Sequence, residues 1–244
     1  MRYYIYLLLI AASLSSCAHF QYMTVSSTET TKNKQDQLVY ENDTLRLTYD
    51  FNGKNGPVSI NVFNKTSQPL YVNWRKSALI RNEHSYSYFD RNIQFSGNAY
   101  TLNSNPGRRF GLLAASSTSF SGSFALPEGV DFIPPGASIS KGLLVLGESG
   151  PMVLEIPDSI AQQKIDDVSY GILAKYRQKN FDPATSPVQF KSYLTFMLGF
   201  NNALEFAQTN DFYISETLDS KAHPENFPKY EEKGDRFFVV YHKE

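Results

Sequence analysis

The feature that most constrains the fold of this chain is a period of two in its hydrophobic pattern. Apolar and polar side chains alternate over residues 45–50 and again over residues 58–62. Between these runs lies Asn52-Gly53-Lys54-Asn55-Gly56, whose two Asn-Gly pairs strongly favour tight turns. Because successive side chains of a strand point to opposite faces, the pattern predicts a β-hairpin over residues 45–63 with one apolar and one polar face.

The same kind of pattern continues along the chain. Strand-like runs separated by turn-forming residues occupy residues 70–74, 93–100, 110–114, 119–126, 138–140, 143–146, 188–198, 206–215 and 237–241. The chain contains 18 Phe and 16 Tyr, residue types that suit half-buried pleated sheets. These features predict a mainly β fold over residues 38–244, an antiparallel β-sandwich of the Ig-like or jelly-roll-like kind.

Two segments depart from the strand pattern. Residues 165, 168, 172 and 176 are apolar or aromatic at helical spacing, and Asp158 and Ser159 are suitable N-cap residues. This spacing predicts one short helix within residues 159–178. Residues 221–234 are polar and contain prolines, which predicts a surface loop.

The N-terminus has the layout of an export signal. Arg2 precedes a short apolar run over residues 5–12, and small residues follow it. The apolar run is shorter than the stretch of about 20 residues that a membrane-spanning helix needs. We therefore expect residues 1–16 to be a cleaved signal peptide, with no transmembrane helix in the mature chain.

The residues that end this signal resemble a known motif. Leu14-Ser15-Ser16-Cys17 resembles the bacterial lipobox, in which the cysteine receives a diacylglycerol and becomes the N-terminus after cleavage. Cys17 is the single cysteine of the chain. The resemblance implies that Cys17 is lipidated and that two or three acyl chains hold the protein stably on a membrane. An ordinary cleaved signal, in which Cys17 is incidental, is the alternative.

The residues after Cys17 bear on location and reach. In such lipoproteins an Asp after the cysteine implies retention in the inner membrane, and here Ala18 follows, which implies the outer membrane. Residues 18–22 also lack the acidic tags of surface-exported lipoproteins of Bacteroidota. We expect a periplasm-facing protein, with surface exposure as the alternative. Residues 18–37 are rich in hydroxyl, amide and charged groups, which predicts a flexible lipidated tether over residues 17–37.

Four short segments resemble lipoproteins of Bacteroidota that have no assigned activity. They are residues 69–77, 132–136, 186–195 and 211–215, and they cover a small part of the chain. The resemblance implies a shared fold and an envelope location, and it carries over no catalytic residue.

Composition and motif spacing exclude several classes of chemistry. The formal net charge of −1 gives no reason to expect nucleic-acid binding. The four histidines, at positions 19, 84, 223 and 242, have no metal-ligand spacing, and the lone cysteine leaves no intramolecular disulfide. Gly147-Glu148-Ser149-Gly150-Pro151 misses the nucleophile-elbow pattern by one residue. We therefore expect no metal, no cofactor and no catalytic residue.

One short segment contains candidate ligand-binding residues. Tyr71, Trp74 and Arg75 lie in or next to a predicted strand, where exposed rings would stack on a sugar and the guanidinium would hold an anionic group. The favoured interpretation of Trp74 is instead a core aromatic between two sheets.

The sequence favours a membrane-anchored cell-envelope lipoprotein that binds an envelope protein or glycan without a chemical reaction. A lipid-anchored hydrolase acting on glycan or peptide is the alternative. A third possibility is a component of a larger assembly, since sandwiches exchange edge strands.

Overall fold

A computed structural model gives the architecture of the chain. It describes residues 18–89, 92–103, 114–125, 129–147, 152–155, 162–168, 172–199, 204–227 and 229–242, with the backbone alone for 92–103, 114–125, 162–168 and 172–174. The candidate lipidation site Cys17 and the predicted signal peptide over residues 1–16 lie outside these residues.

The described residues form seventeen strands and one 3-10 turn. The strands are β1 Ala18–Ser26, β2 Thr31–Lys32, β3 Leu38–Glu41, β4 Leu45–Asp50, β5 Gly53–Lys54, β6 Pro57–Asn64, β7 Leu70–Arg81, β8 His84–Ser87, β9 Asn92–Asn103, β10 Ala114–Ala125, β11 Val130–Ile133, β12 Ser138–Val145, β13 Gln162–Val168, β14 Ile172–Asn180, β15 Gln189–Leu198, β16 Leu204–Ser220 and β17 Arg236–His242; the 3-10 turn is Pro224–Asn226.

These strands form three sheets. In the larger sheet, of ten strands, the main path is β11–β7–β15–β16–β1–β17–β5, with β8 beside β7, β14 beside β16 and β13 beside β14. The smaller sheet, of five strands, has the order β12–β6–β4–β3–β2, and β9 and β10 form a two-stranded sheet of their own. The β17–β5 pair is parallel and the other pairs are antiparallel.

The main core lies between the larger and the smaller sheet. Its buried members include Leu47, Tyr49, Ile60 and Val62 from the smaller sheet and Val25, Val72, Trp74, Phe190, Phe196 and Phe212 from the larger sheet. Burial of each large apolar side chain contributes about 1.5–3 kcal/mol, so this interface is the main source of stability. The prediction of a mainly β fold with packed antiparallel sheets is confirmed.

The predicted hairpin over residues 45–63 is confirmed. β4 and β6 pair continuously from Leu45 opposite Asn64 to Asp50 opposite Ser59. Asn55 and Gly56, in the connection between them, have φ values of 63° and 68°. Asn and Gly adopt this left-handed conformation at low cost, which explains why an Asn-Gly pair occupies the turn.

Most of the other predicted strands are confirmed with longer bounds. The runs at 70–74, 93–100, 119–125, 138–146, 188–198, 206–215 and 237–241 lie mainly within β7, β9, β10, β12, β15, β16 and β17. Residues 110–113 and 126 lie outside the described residues.

The predicted flexible tether is wrong, because residues 18–26 of it form strand β1 of the larger sheet. β1 is an interior strand of the larger sheet, paired with β16 on one side and β17 on the other. Met23 and Val25 are buried in the main core, and Tyr22 is buried on the opposite face of the sheet. The hydroxyl and amide side chains that suggest a tether lie in β1 beside these apolar residues, in β2, or in the connections on either side of β2.

The predicted helix within residues 159–178 is also wrong. β13 and β14 occupy this segment and pair antiparallel from Gln162 opposite Gln178 to Val168 opposite Ile172. The residues at helical spacing are three β-branched residues and a tyrosine, which lose side-chain freedom in a helix and pack well on a sheet. Tertiary pairing of β14 with β16 therefore decides the conformation.

The predicted surface loop at residues 221–234 covers the larger sheet. Its Phe227 and Tyr230 are buried against Phe20 and Tyr22 of β1 in a second, smaller core. Tyr22 donates its hydroxyl to the carbonyl of Ala222 at 2.5 Å. The larger sheet is therefore buried on both faces near the start of β1.

Candidate functional site

The outer face of the smaller sheet is a polar surface that follows from the strand pattern. On β4 the side chains of Leu45, Leu47 and Tyr49 are buried, whereas those of the alternating residues remain partly exposed. β6 shows the same alternation, with Ser59 and Asn61 on the outer side. The period of two thus gives one apolar face to the core and one hydrogen-bonding face to solvent.

A groove of about 570 Å³ lies on this outer face. Eleven residues line it: Thr31, Lys32, Asn33, Gln37, Val39, Arg46, Thr48, Asp50, Ser59, Asn61 and Ser140. All but Val39 carry a hydroxyl, amide or charged side chain. The floor is partly organised by a hydrogen bond, since the Asn61 amide donates to the Ser140 hydroxyl at 2.7 Å.

One wall of the groove is the turn between β2 and β3. The side-chain oxygen of Asn33 accepts hydrogen bonds from the backbone N–H groups of Gln35 and Gln37 at 2.9 and 3.0 Å. This local capping explains why an Asn suits the start of the turn. The amide of Gln37 then donates to the Asp50 carboxylate at 2.6 Å, which ties the wall to the floor.

The wall also docks on the loop before β17. The Gly234 N–H donates to the Gln35 carbonyl at 2.9 Å. A Cβ at Gly234 would lie 2.3 Å from the Gln37 Cγ, so this close approach requires glycine. The Lys32 ammonium contacts the buried carboxylate of Asp235 at 2.5 Å, which fixes β2 over the same loop.

The charged groups of the groove are held in place from several sides. The Arg46 guanidinium carbon lies 4.8 Å from the centre of the Phe63 ring, a cation–π distance. Asp50 accepts hydrogen bonds from Gln37 and from the backbone N–H of Asn52, at 2.6 and 2.9 Å. The groove therefore offers fixed cations at two points and short hydroxyl and amide groups between them. Such a surface suits hydrogen bonding to a ligand with many hydroxyl groups.

The structure separates the residues that the sequence singled out. Trp74 is fully buried in the main core, where its indole N–H donates to the Asp131 carboxylate at 2.7 Å. The Lys141 ammonium lies 5.0 Å from the centre of the Trp74 ring. These contacts place Trp74 in the core, in agreement with the favoured interpretation.

Tyr71 and Arg75 lie on the other face of β7. The Tyr71 ring is 5.3 Å from the ring of Phe132, which is 52% exposed. The Arg75 guanidinium carbon is 5.0 Å from the centre of the Phe89 ring. Because Tyr71 and Trp74 face opposite sides of the sheet, they do not form one stacking platform.

The residues of the groove were not identified from the sequence. The polar positions of β4 and β6 are visible as the outer half of the alternating pattern. The wall is not visible in the sequence, because residues 31–37 have the composition of a tether. They are held by Gly234, which lies nearly 200 residues further along the chain. The signal that points to this wall is local: Asn33 begins a short run of turn-forming polar residues before the apolar Leu38.

Two fully buried tyrosines lie in the main core and not in the groove. Burial raises the pKa of Tyr49 and of Tyr88, which donate hydrogen bonds to Asn210 and Ser192, each at 3.0 Å. Among the described residues, no group of three or more His, Cys, Asp or Glu side chains is arranged to hold a metal ion. Within the same residues, no helix has the length and hydropathy to cross a membrane.

Comparison with known proteins adds no relative to this description. No protein-family model, no curated protein and no solved structure matches the chain.

Proposed function

We propose that this chain is a cell-envelope lipoprotein, anchored through Cys17 to the outer membrane and facing the periplasm, that binds a hydroxyl-rich ligand such as an envelope glycan. Binding takes place in the groove on the outer face of the smaller sheet, and no chemical reaction follows it. The anchor rests on the resemblance of residues 14–17 to a lipobox, and the binding role rests on the groove.

The observation that carries the binding role is the composition of the groove. Ten of its eleven lining residues offer hydrogen-bond donors or acceptors, and several are already held by contacts within the protein. Fixed polar groups lose little conformational freedom on binding, which favours affinity for a ligand that matches them. A saccharide presents hydroxyl groups in a rigid arrangement and is the class of envelope molecule that fits this surface.

The same groove gives little support to the alternative of a hydrolase. Hydrolysis of a glycosidic bond ordinarily uses two carboxyl groups on either side of the bond. Asp50 is the one carboxylate among the residues that line the groove, and each of its oxygens accepts a hydrogen bond from the protein.

β1, which starts at Ala18, links the proposed anchor at Cys17 to the groove. Ala18 pairs with His242, so this end of the larger sheet would face the lipid attached to Cys17. Seven residues further on, the Val25 N–H donates to the carbonyl of Asp235, whose side chain contacts Lys32 in the groove. At about 3.3 Å per residue, β1 spans roughly 20 Å from Ala18 to Val25.

Glycan binding by groove variants tests this proposal. The full chain, extracted in detergent, is titrated with purified peptidoglycan fragments and outer-membrane polysaccharides. Thr48→Val and Asn61→Ala each remove hydrogen-bonding groups from the groove and should weaken binding about fivefold, as expected for a loss of about 1 kcal/mol.

The matched control is Thr209→Val, an exposed threonine on β16 of the larger sheet. It should bind with unchanged affinity. The proposal is contradicted if none of these saccharides binds, or if the control loses as much affinity as Thr48→Val.

A further inference from the structure

The β9–β10 hairpin differs from the other sheet edges of the molecule in the way its edges are protected. Exposed strand edges carry unpaired backbone groups, and proteins usually protect them by short length, charge, proline or a bulge. In the larger and smaller sheets, β2, β5, β8 and β11 have only two to four residues. β13 includes Lys164, Asp166 and Asp167, and the pairing of β12 is interrupted between Gly142 and Leu144.

The hairpin has none of these protections. β9 and β10 have 12 residues each, and all of them pair in one unbroken antiparallel register. Neither strand contains a charged residue or a proline, although 19% of the whole chain is charged. In the part of the chain that the structure describes, the outer edges of β9 and β10 pair with no further strand.

The register also divides the hairpin into two unlike faces. Ile93 and Phe95 share one face with Phe120 and Phe124, and Ile93 is directly opposite Phe124. The other face is rich in serine and includes the pairs Ser96–Ser121 and Asn98–Ser119. An isolated two-stranded hairpin is at best marginally stable in water, so a hairpin of this length gains stability from additional strands.

We infer that copies of this chain associate edge to edge through the β9–β10 hairpin, with β9 of one copy beside β10 of the next. The two edges have equal length and are equally free of charge, so this head-to-tail arrangement satisfies both edges at once. A single strand from another protein would pair with one edge and leave the second open. The arrangement also continues the face that carries Phe and Ile from one copy to the next.

The inference is independent of the lipid anchor and of the groove. Its test is the molar mass of the full chain in detergent, measured by light scattering that separates protein mass from detergent mass over a range of protein concentrations. The wild-type chain should rise above the mass of one copy as its concentration increases.

Charge placed on one edge should block that edge. Asn98→Lys on β9 and Ser123→Lys on β10 each lie on the serine-rich face, and each alone should raise the concentration needed for association at least about tenfold. Mixed together, the two variants should form pairs and stop there, since one retains a β10 edge and the other a β9 edge.

The control is Gln162→Lys/Gln163→Lys on β13, an edge that already carries charge, and it should associate like the wild type. Thermal unfolding midpoints equal to that of the wild type establish that the variants are folded. The inference is overturned if the wild-type chain keeps the mass of one copy at every concentration, if the control dissociates as the variants do, or if the mixed variants form no pairs.

Discussion

The two faces of the smaller sheet come from the same strands and have opposite properties. On the inner face Leu47, Tyr49 and Ile60 have no exposed surface and pack against the larger sheet. On the outer face their sequence neighbours Thr48 and Ser59 line the groove. Adjacent residues therefore serve different purposes, the inner ones stability and the outer ones the proposed binding.

This difference makes the assignment testable with neighbouring substitutions. A change on the inner face should act on the free energy of unfolding, and a change on the outer face should act on ligand affinity. An inner-face variant that changes only ligand affinity, or an outer-face variant that changes the free energy of unfolding, would contradict this division.

The largest effect is expected for Leu47→Ala. Removal of a fully buried leucine side chain leaves a cavity in the main core and should lower the free energy of unfolding by about 2–5 kcal/mol. The neighbouring Thr48→Val should change it by less than about 0.5 kcal/mol. Urea denaturation followed by circular dichroism measures both, and equal losses for the two variants would contradict the division between the faces.

A smaller effect is expected at alkaline pH. Burial raises the pKa of Tyr49 and of Tyr88 above the ordinary value of 10.0. Above about pH 10 the unfolded chain releases these protons while the folded chain keeps them, so stability is complete below that pH and falls as the pH rises.

Tyr88→Phe should make this loss of stability less steep, because one of the protons is no longer involved. It should also lower stability at neutral pH, since the hydrogen bond of 3.0 Å from Tyr88 to Ser192 is lost. The control is Tyr193→Phe, at a tyrosine that is 37% exposed, next to Ser192 on β15. The free energy of unfolding of the wild type and of both variants is measured between pH 8 and 12. If it falls with pH equally steeply for the wild type and for Tyr88→Phe, the result would count against the burial of this hydroxyl.

Much of the fold could be predicted from the sequence, because the alternation of apolar and polar residues and the presence of turn-forming residues are local signals. The hairpin over residues 45–63 combines clean alternation with an Asn-Gly turn, and the structure confirms both. The same reasoning finds β7, β15, β16 and β17 with shorter bounds, since strand ends depend on the neighbouring strands.

Two elements could not be predicted because their partners are remote in the chain. β1 is a strand because β16 and β17, about 200 residues away, pair with both of its edges. β14 is a strand because β16 offers it an open edge, although the spacing of its apolar residues also fits a helix. In each case tertiary pairing outweighs a weak local preference.

The candidate site was missed for a similar reason. Polar residues on β4 and β6 indicate an outer face, but they do not indicate a groove. The groove exists because the turn from Asn33 to Gln37 stands beside this face and is held by Gly234. The aromatic residue that attracts attention in the sequence, Trp74, is a core residue.

The central proposal, that this chain is a lipoprotein anchored through Cys17, is tested most directly by the mass of its N-terminal peptide. The full-length chain is extracted from bacterial membranes and digested, and the first peptide is analysed by mass spectrometry. We predict that the peptide begins at Cys17 and carries a diacylglycerol. An N-terminus at another residue, or a Cys17 without lipid, would contradict the account.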